Sequence, residues 1–438
     1  MVCRRRLCLS MVILVLGFLL SSSLVLRAYM SDALSHPPPA TGTYAFNTFV
    51  PPNTPGATYV DPVFGSTIRR LTADHQTDQI YTRNMWWNAD GTLYFHNHTI
   101  ISTQTGAVAY TNLPTGGNSD YGFDPIDPKV YFYGDRSGPN LRKVTLGAGG
   151  TFTDVLYLTV SSNLLSLGET INWLSADGRY MVLRYGPEPS VHVFDRQNLA
   201  AGAYAGATAG NDVDTGGYAG LTPDGKYVVD GRRSWPINHA ARTVGGNGTF
   251  YWGLCGEHTA FMSASDGRDY AITANCYDYM EMWRVDITND ATGLSADAVK
   301  ALPNNLRLVS LPAWTMDHHV ATAAKGSLRD WAFMSIEDSA DVFNGPVSPW
   351  SPYRSEIIAV NALTGEVRRL AHHRSRSTGS NDAVGYYYQP RVSSSWGGEF
   401  VGWASNYNQS GVVDVFATPF GGATTGIPSA PTNLRILP

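Results

Sequence analysis

A turn of the form Asp-Gly, set between a short apolar run and a strongly β-prone one, recurs along this chain and limits what it can fold into. The clearest copies are Trp87-Asn-Ala-Asp-Gly-Thr-Leu-Tyr-Phe, Leu174-Ser-Ala-Asp-Gly-Arg-Tyr-Met-Val-Leu and Leu221-Thr-Pro-Asp-Gly-Lys-Tyr-Val-Val. Weaker copies turn at Asp127-Pro128, Asp266-Gly267, Lys325-Gly326 and Gly397-Gly398. Gly tolerates the positive φ of a tight turn and Asp bonds its own backbone two residues on, so each copy predicts a hairpin. Seven such units, most of them spaced at the length of a four-stranded blade, predict an all-β, seven-bladed β-propeller over residues 60–420. Third strands are legible as Val191-His-Val-Phe-Asp and Ile357-Ile-Ala-Val-Asn. The seventh unit stops after its third strand, Val412-Val-Asp-Val-Phe-Ala, and Ile68-Arg-Arg-Leu-Thr, ahead of the first unit, has the character of the missing partner. An N-terminal strand is therefore expected to complete the last blade and close the ring, which removes exposed sheet edges. A β-sandwich is the alternative, but sandwiches carry no such repeat.

Composition agrees with this reading. The 438 residues include 44 Gly, 24 Tyr and 11 Trp, which favours short strands and tight turns over helices. Hydrophobic residues at 43% and charged residues at 15% exclude a disordered chain. A formal net charge of −5 lacks the basic excess of a nucleic-acid binder. A monomer is expected.

Residues 1–28 read as a signal peptide. Arg4, Arg5 and Arg6 precede an apolar stretch from Met11 to Leu20 of secretory length, so the chain is expected to be secreted or periplasmic. The alternative is an uncleaved anchor over Leu7 to Leu26, the one case that makes the membrane a partner. Residues 29–59 are a Pro- and Gly-rich linker, and 421–438 a linker-like tail whose Pro428 to Ile436 resembles the opening of a fibronectin type III domain. Past the signal the chain holds only Cys255 and Cys276; in an oxidising compartment a disulfide between them is expected. Asn97, Asn247 and Asn408 head glycosylation sequons, relevant in a eukaryotic host.

In a propeller the loops that lead into the first strands and those that follow the second strands open on one face. Glu257-His258, Asp317-His318-His319 and Gln389-Pro-Arg391 lead into the first strands of units five to seven. His96, His98, Arg136, Arg184 and Arg232-Arg233 follow second strands. Glu337 to Arg354 reads as a long insertion able to form a lid. His258, His319 and Gln389 stand out because three successive units offer polar groups at matching positions. His96 and His98 are read as structural or surface residues, and His372-His373 as solvated.

The repeat, the Asp-His-His opening of unit six and the Gln-Pro-Arg opening of unit seven resemble oligogalacturonate lyases and their propeller relatives, over most of residues 60–420. The resemblance implies a divalent metal, Mn or Ca, over the channel, held by His319, with His318 as the alternate, and by Gln389. It implies a functional His at His258 and a catalytic Arg at Arg233 or its neighbour Arg232. Unit seven departs from the pattern, because Gln389 and Arg391 stand where the lyases have paired His, and a cation there repels a metal.

Without a metal, β-elimination from a uronate needs its carboxylate neutralised, a base near the adjacent proton and an acid for the leaving oxygen. Arg391 is suited to the carboxylate, His258 or His319 to the base and Tyr388 to the acid. Trp86, Trp87, Trp314 and Tyr388 suit sugar stacking. The expected partner is thus an acidic glycan or oligosaccharide, cleaved by a lyase. The alternatives are a non-catalytic glycan- or protein-binding propeller and a structural scaffold of the cell envelope.

Overall fold

A computed structural model describes residues 30–32, 51–73, 85–96, 98–116, 121–135, 138–167, 173–186, 190–206, 208–209, 219–254, 258–275, 278–311, 316–338, 353–375, 389–406 and 413–421. The chain is an all-β β-propeller, and among the described residues its α-helix is the single turn Ala296–Lys300. No helix of the described residues is long and apolar enough to cross a membrane.

The turn chemistry read from the sequence builds the hairpins. Gly178 and Gly225 sit at φ +71 and +75, where a Cβ is disfavoured. The Oδ1 atoms of Asp90, Asp177, Asp224 and Asp266 each accept the backbone N–H two residues on, at 2.9–3.1 Å. Among the described residues the strands form seven antiparallel sheets. The first holds Leu93–His96, Thr99–Ser102 and Val108–Tyr110, and the second Tyr121–Phe123, Val130–Gly134, Asn140–Leu146 and Phe152–Thr159. The third is built on Tyr180–Tyr185 and Ser190–Asp195, the fourth on Tyr227–Val229 and Arg233–Asn238. The fifth holds Ala260–Ser263, Asp269–Asn275, Asp278–Asp286 and Leu306–Ser310. The sixth holds Met316–Thr322, Trp331–Asp338, Glu356–Asn361 and Val367–His372, with Met30–Asp32 added at its edge. In the seventh, Ser393–Ser394, Phe400–Ser405 and Asp414–Pro419 are continued by Thr67–Arg70 and Thr58–Val60.

Each sheet is bonded to the next. Asn88 Nδ2 donates to Pro128 O (3.0 Å), Arg196 pairs with Asp124 (2.7 Å), and Ala176 N donates to Pro223 O (2.7 Å). Asp224 N donates to Ser263 Oγ (3.0 Å), Ser265 N to Asp330 Oδ1 (2.6 Å) and Ala324 N to Trp396 O (2.9 Å). Trp87 Nε1 donates to Ser393 Oγ (3.2 Å), which bonds the seventh sheet back to the first. The N-terminal strand pairs with the C-terminal one, Arg69 opposite Ala417 and Arg70 opposite Phe416. A buried ion pair between Arg70 and Asp414 clamps that seam, and Thr72 Oγ1 donates to the same carboxylate at 3.0 Å.

The loop Asp61–Ser66 also reaches the sixth sheet. Asp61 Oδ2 accepts the His372 N–H (3.1 Å), and the Phe64 ring packs against that of His372 (4.8 Å) and under the Arg369 guanidinium (4.8 Å). Arg369 forks onto Glu356 at 2.7 and 2.5 Å, both side chains buried. His372 and His373, expected in solvent, are each 2% exposed because this loop and its partners cover them.

The junction of the fourth and fifth sheets carries a pH dependence. Burial, and next the charge of Asp224, push the Asp269 carboxyl up to about 7. Unfolding returns it to the ordinary value of 3.8, so between these values the folded chain binds the extra proton and stability falls as pH rises. Thermal melts should therefore show a lower Tm at about pH 8 than at about pH 5, and Asp269→Asn should flatten that slope. An unchanged slope in the variant would assign the dependence to another group.

Candidate functional site

The centre of the site is the hairpin of the sixth sheet. His319 lies opposite Ser335, and Asp317 opposite Glu337. Side chains alternate across a strand, so Ser335 and Glu337 share the face of His319. Glu337 Oε1 accepts a hydrogen bond from His319 Nδ1 at 2.9 Å, with side chains 4% and 1% exposed. A carboxylate only accepts hydrogen bonds, so it fixes the tautomer with the proton on Nδ1 and leaves Nε2 as the basic nitrogen.

Blade-to-blade packing adds His258. It leads into Ala260–Ser263 with φ +52, a left-handed conformation that His adopts more readily than most residues. Its ring stacks on that of His319 (centroids 4.1 Å apart, planes 23° apart) and meets the buried His318 edge-on (5.8 Å, 79°). Thr259 next to it is anchored by a 2.7 Å hydroxyl bond to Thr273. Three imidazoles and one carboxylate from two sheets thus form one cluster.

The seventh sheet contributes the next pair. Arg391, 3% exposed at φ +41, donates from Nη2 to Gln389 Oε1 at 3.2 Å. Val392 N donates to Ser335 Oγ at 3.2 Å, which ties this segment to the strand bearing Glu337. In the fourth sheet, Asp230 Oδ1 accepts both the Arg232 and the Arg233 N–H (2.8 and 2.6 Å), and Arg232 O accepts the Tyr251 N–H (2.9 Å). This pins the two arginines in different surroundings. The Arg233 guanidinium lies over the Phe250 ring at 5.2 Å, whereas Arg232 Nε is buried with no acceptor among the described residues. Arg232 is therefore the better placed of the two to take an anion.

Other expectations fare differently. Trp87 does not face a sugar: it is fully buried, its ring against Tyr94 (4.9 Å) and Phe400 (5.7 Å), and Trp86 is buried against Tyr121. His96 is buried, and exposed His98 bonds Leu113 O through Nδ1 at 3.0 Å. Glu337, read as the start of an insertion, belongs to the strand Trp331–Asp338. The unbroken β-prone run from Trp331 to Ile336 was the sequence signal for that. His373 is a further buried residue of this face; its Nδ1 accepts the Ser375 N–H and its Nε2 donates to Ile336 O, both at 3.0 Å. Cys255, Cys276, Arg136, Trp314, Tyr388 and residues 339–352 lie outside the described residues.

The metal implied by the resemblance can be tested on donor geometry. The His258 and His319 rings, only 23° from parallel and 4.1 Å apart, cannot both aim in-plane lone pairs at one ion about 2.1 Å from each nitrogen, so His258 is no co-ligand of His319. Glu337 on Nδ1 orients His319 as a carboxylate orients a metal-bound imidazole, whereas the Gln389 carbonyl oxygen faces a guanidinium. Among the described residues no group of three or more His, Cys, Asp or Glu is arranged to hold a metal ion. Gln389 therefore does not fit as a ligand beside that guanidinium, while His319 keeps Nε2 for a proton or an ion. What the cluster can do is move a proton at His319, with Arg391, on the segment bonded to Ser335, as a cation for an anionic group.

No family model matches the chain, and a search of curated proteins finds no match. Among solved structures it is similar to an oligogalacturonate lyase from Vibrio parahaemolyticus, at 14% identity and a TM-score of 0.50 over 84% of this chain and 97% of that one. It is also similar to an oligogalacturonate lyase in complex with manganese, at 15% identity and a TM-score of 0.51 over 84% and 96%. At such identity the likeness is one of fold.

Proposed function

We propose that this chain is an exported seven-bladed β-propeller, each sheet one blade, that binds an acidic glycan over units five to seven and cleaves uronate linkages there by β-elimination. The observation that carries this reading is the buried Glu337–His319 pair with His258 stacked on it. A carboxylate-oriented imidazole is a general base suited to neutral pH. Arg232, with Arg391 beside Gln389, neutralises the sugar carboxylate and so acidifies the neighbouring C–H. His319 Nε2 takes that proton, the electron pair becomes a carbon–carbon double bond, and the glycosidic oxygen leaves with a proton from Tyr388. His258 covers the base and excludes water. No step here is routed through a metal ion.

A second reading, glycan binding without turnover, is favoured by the Arg391–Gln389 contact, which replaces ligands with a cation. A turnover assay on uronate-containing glycans separates the two. Ultraviolet absorbance of unsaturated product should rise, survive chelation and vanish in His319→Ala. Absorbance lost on chelation would put a metal back in the site, and no rise on any substrate would leave the binding reading.

A further inference from the structure

The outermost strand of the second sheet, Phe152–Thr159, has no partner on its outer edge among the described residues. It is eight residues long, whereas the outermost strands of the third, fourth, sixth and seventh sheets span two or three. Phe152, Val155 and Leu156 are 36%, 50% and 55% exposed. Natural edges are blunted by short strands, Pro, Lys or inward charges. Here Pro and Lys are absent from the strand, and its one charge, Asp154, is consumed within its own sheet by Arg142 Nε (2.9 Å) and the Tyr133 hydroxyl (2.8 Å). A bulge between Leu156 and Leu158 turns Tyr157 toward Arg196 and Phe132, so the flat part of the edge is Phe152 to Leu156.

We infer that this edge pairs with the same edge of a second copy of the chain, antiparallel about a two-fold axis. An axis through Val155 sets Val155 opposite the other copy's Val155, and Asp154 opposite Leu156, as the alternation of side chains along a strand requires. No like charges then face each other, and each exposed aliphatic side chain meets the other copy. The strand carries no outward charge that would select a different partner, whereas antiparallel self-pairing needs only main-chain groups and a two-fold. A contact of about five residues a side is small, so the dimer forms in the micromolar range. Such a dimer departs from the monomer expected from the sequence.

Sedimentation of the full chain in density-matched detergent tests this. The expected result is a concentration-dependent dimer whose dissociation constant rises at least tenfold in the double variant Val155→Lys, Leu156→Lys, with an unchanged Tm. A monomer up to about 100 μM, or a dimer unaffected by the lysines, would overturn the inference. Should the double variant fold poorly, amide exchange on the unmodified chain decides instead: main-chain protection at residues 152–156 must rise with protein concentration, and its absence overturns the pairing.

Discussion

Asp414→Ala should lower the stability of the whole propeller by about 3–5 kcal/mol and its Tm by roughly 5–10 °C. Asp414 is 1% exposed, and its carboxylate answers the Arg70 guanidinium and the Thr72 hydroxyl. Truncation leaves the Arg70 charge buried opposite a methyl group. Arg70 keeps its bonds to the Thr72 and Pro52 carbonyls at 2.8 and 3.1 Å, and those neutral acceptors do not compensate a charge. The loss falls where the N-terminal strand meets the C-terminal one, so it opens the ring rather than one loop. The 3.1 Å bond from His372 N to Asp61 holds a second stretch of the same N-terminal segment, and for this reason the variant should still fold at low temperature. Thermal unfolding of the variant beside the unmodified chain checks it; a stability change below about 1 kcal/mol would show that the seam does not depend on this pair.

The parts of the fold that are local in chemistry were legible in the sequence. An Asp-Gly turn needs only the residues that form it, and the hairpins at Gly178 and Gly225 follow. The role of Ile68-Arg-Arg-Leu-Thr was legible because unit seven lacked a strand, and Thr67–Arg70 pairs with Asp414–Pro419. The parts that depend on distant chain were not. His372 reads as solvated because polar residues follow an edge strand; it is buried by Asp61 and Phe64, some 300 positions away. Trp87 bridges to Tyr94 at the inner side of the first sheet and is buried there, so alternation gives no sign of which side chain reaches the channel. In the candidate site, His258, His319 and Gln389 were singled out from their matching places in successive units. Glu337 escaped notice because its part is set by cross-strand register, which a single strand does not reveal.

That register makes the sharpest test of the proposed chemistry. Glu337→Gln should lower kcat on the cleaved uronate by about 100-fold, with little change in KM. The amide oxygen can still accept the Nδ1 proton, so the tautomer and the stack on His258 are kept. What is lost is the negative charge that stabilises the imidazolium formed when Nε2 takes the substrate proton. The acid limb of the pH–rate profile should accordingly move to lower pH, a displacement that a merely structural role for Glu337 would not produce. Glu337→Ala should be worse in both respects, since it strands a buried N–H at a cost of about 1–3 kcal/mol and frees the ring to turn. Should Glu337→Gln retain full kcat while His319→Ala is inactive, His319 would act without its carboxylate. Should both retain it, the proton would have to go to His258, the imidazole stacked on the same ring.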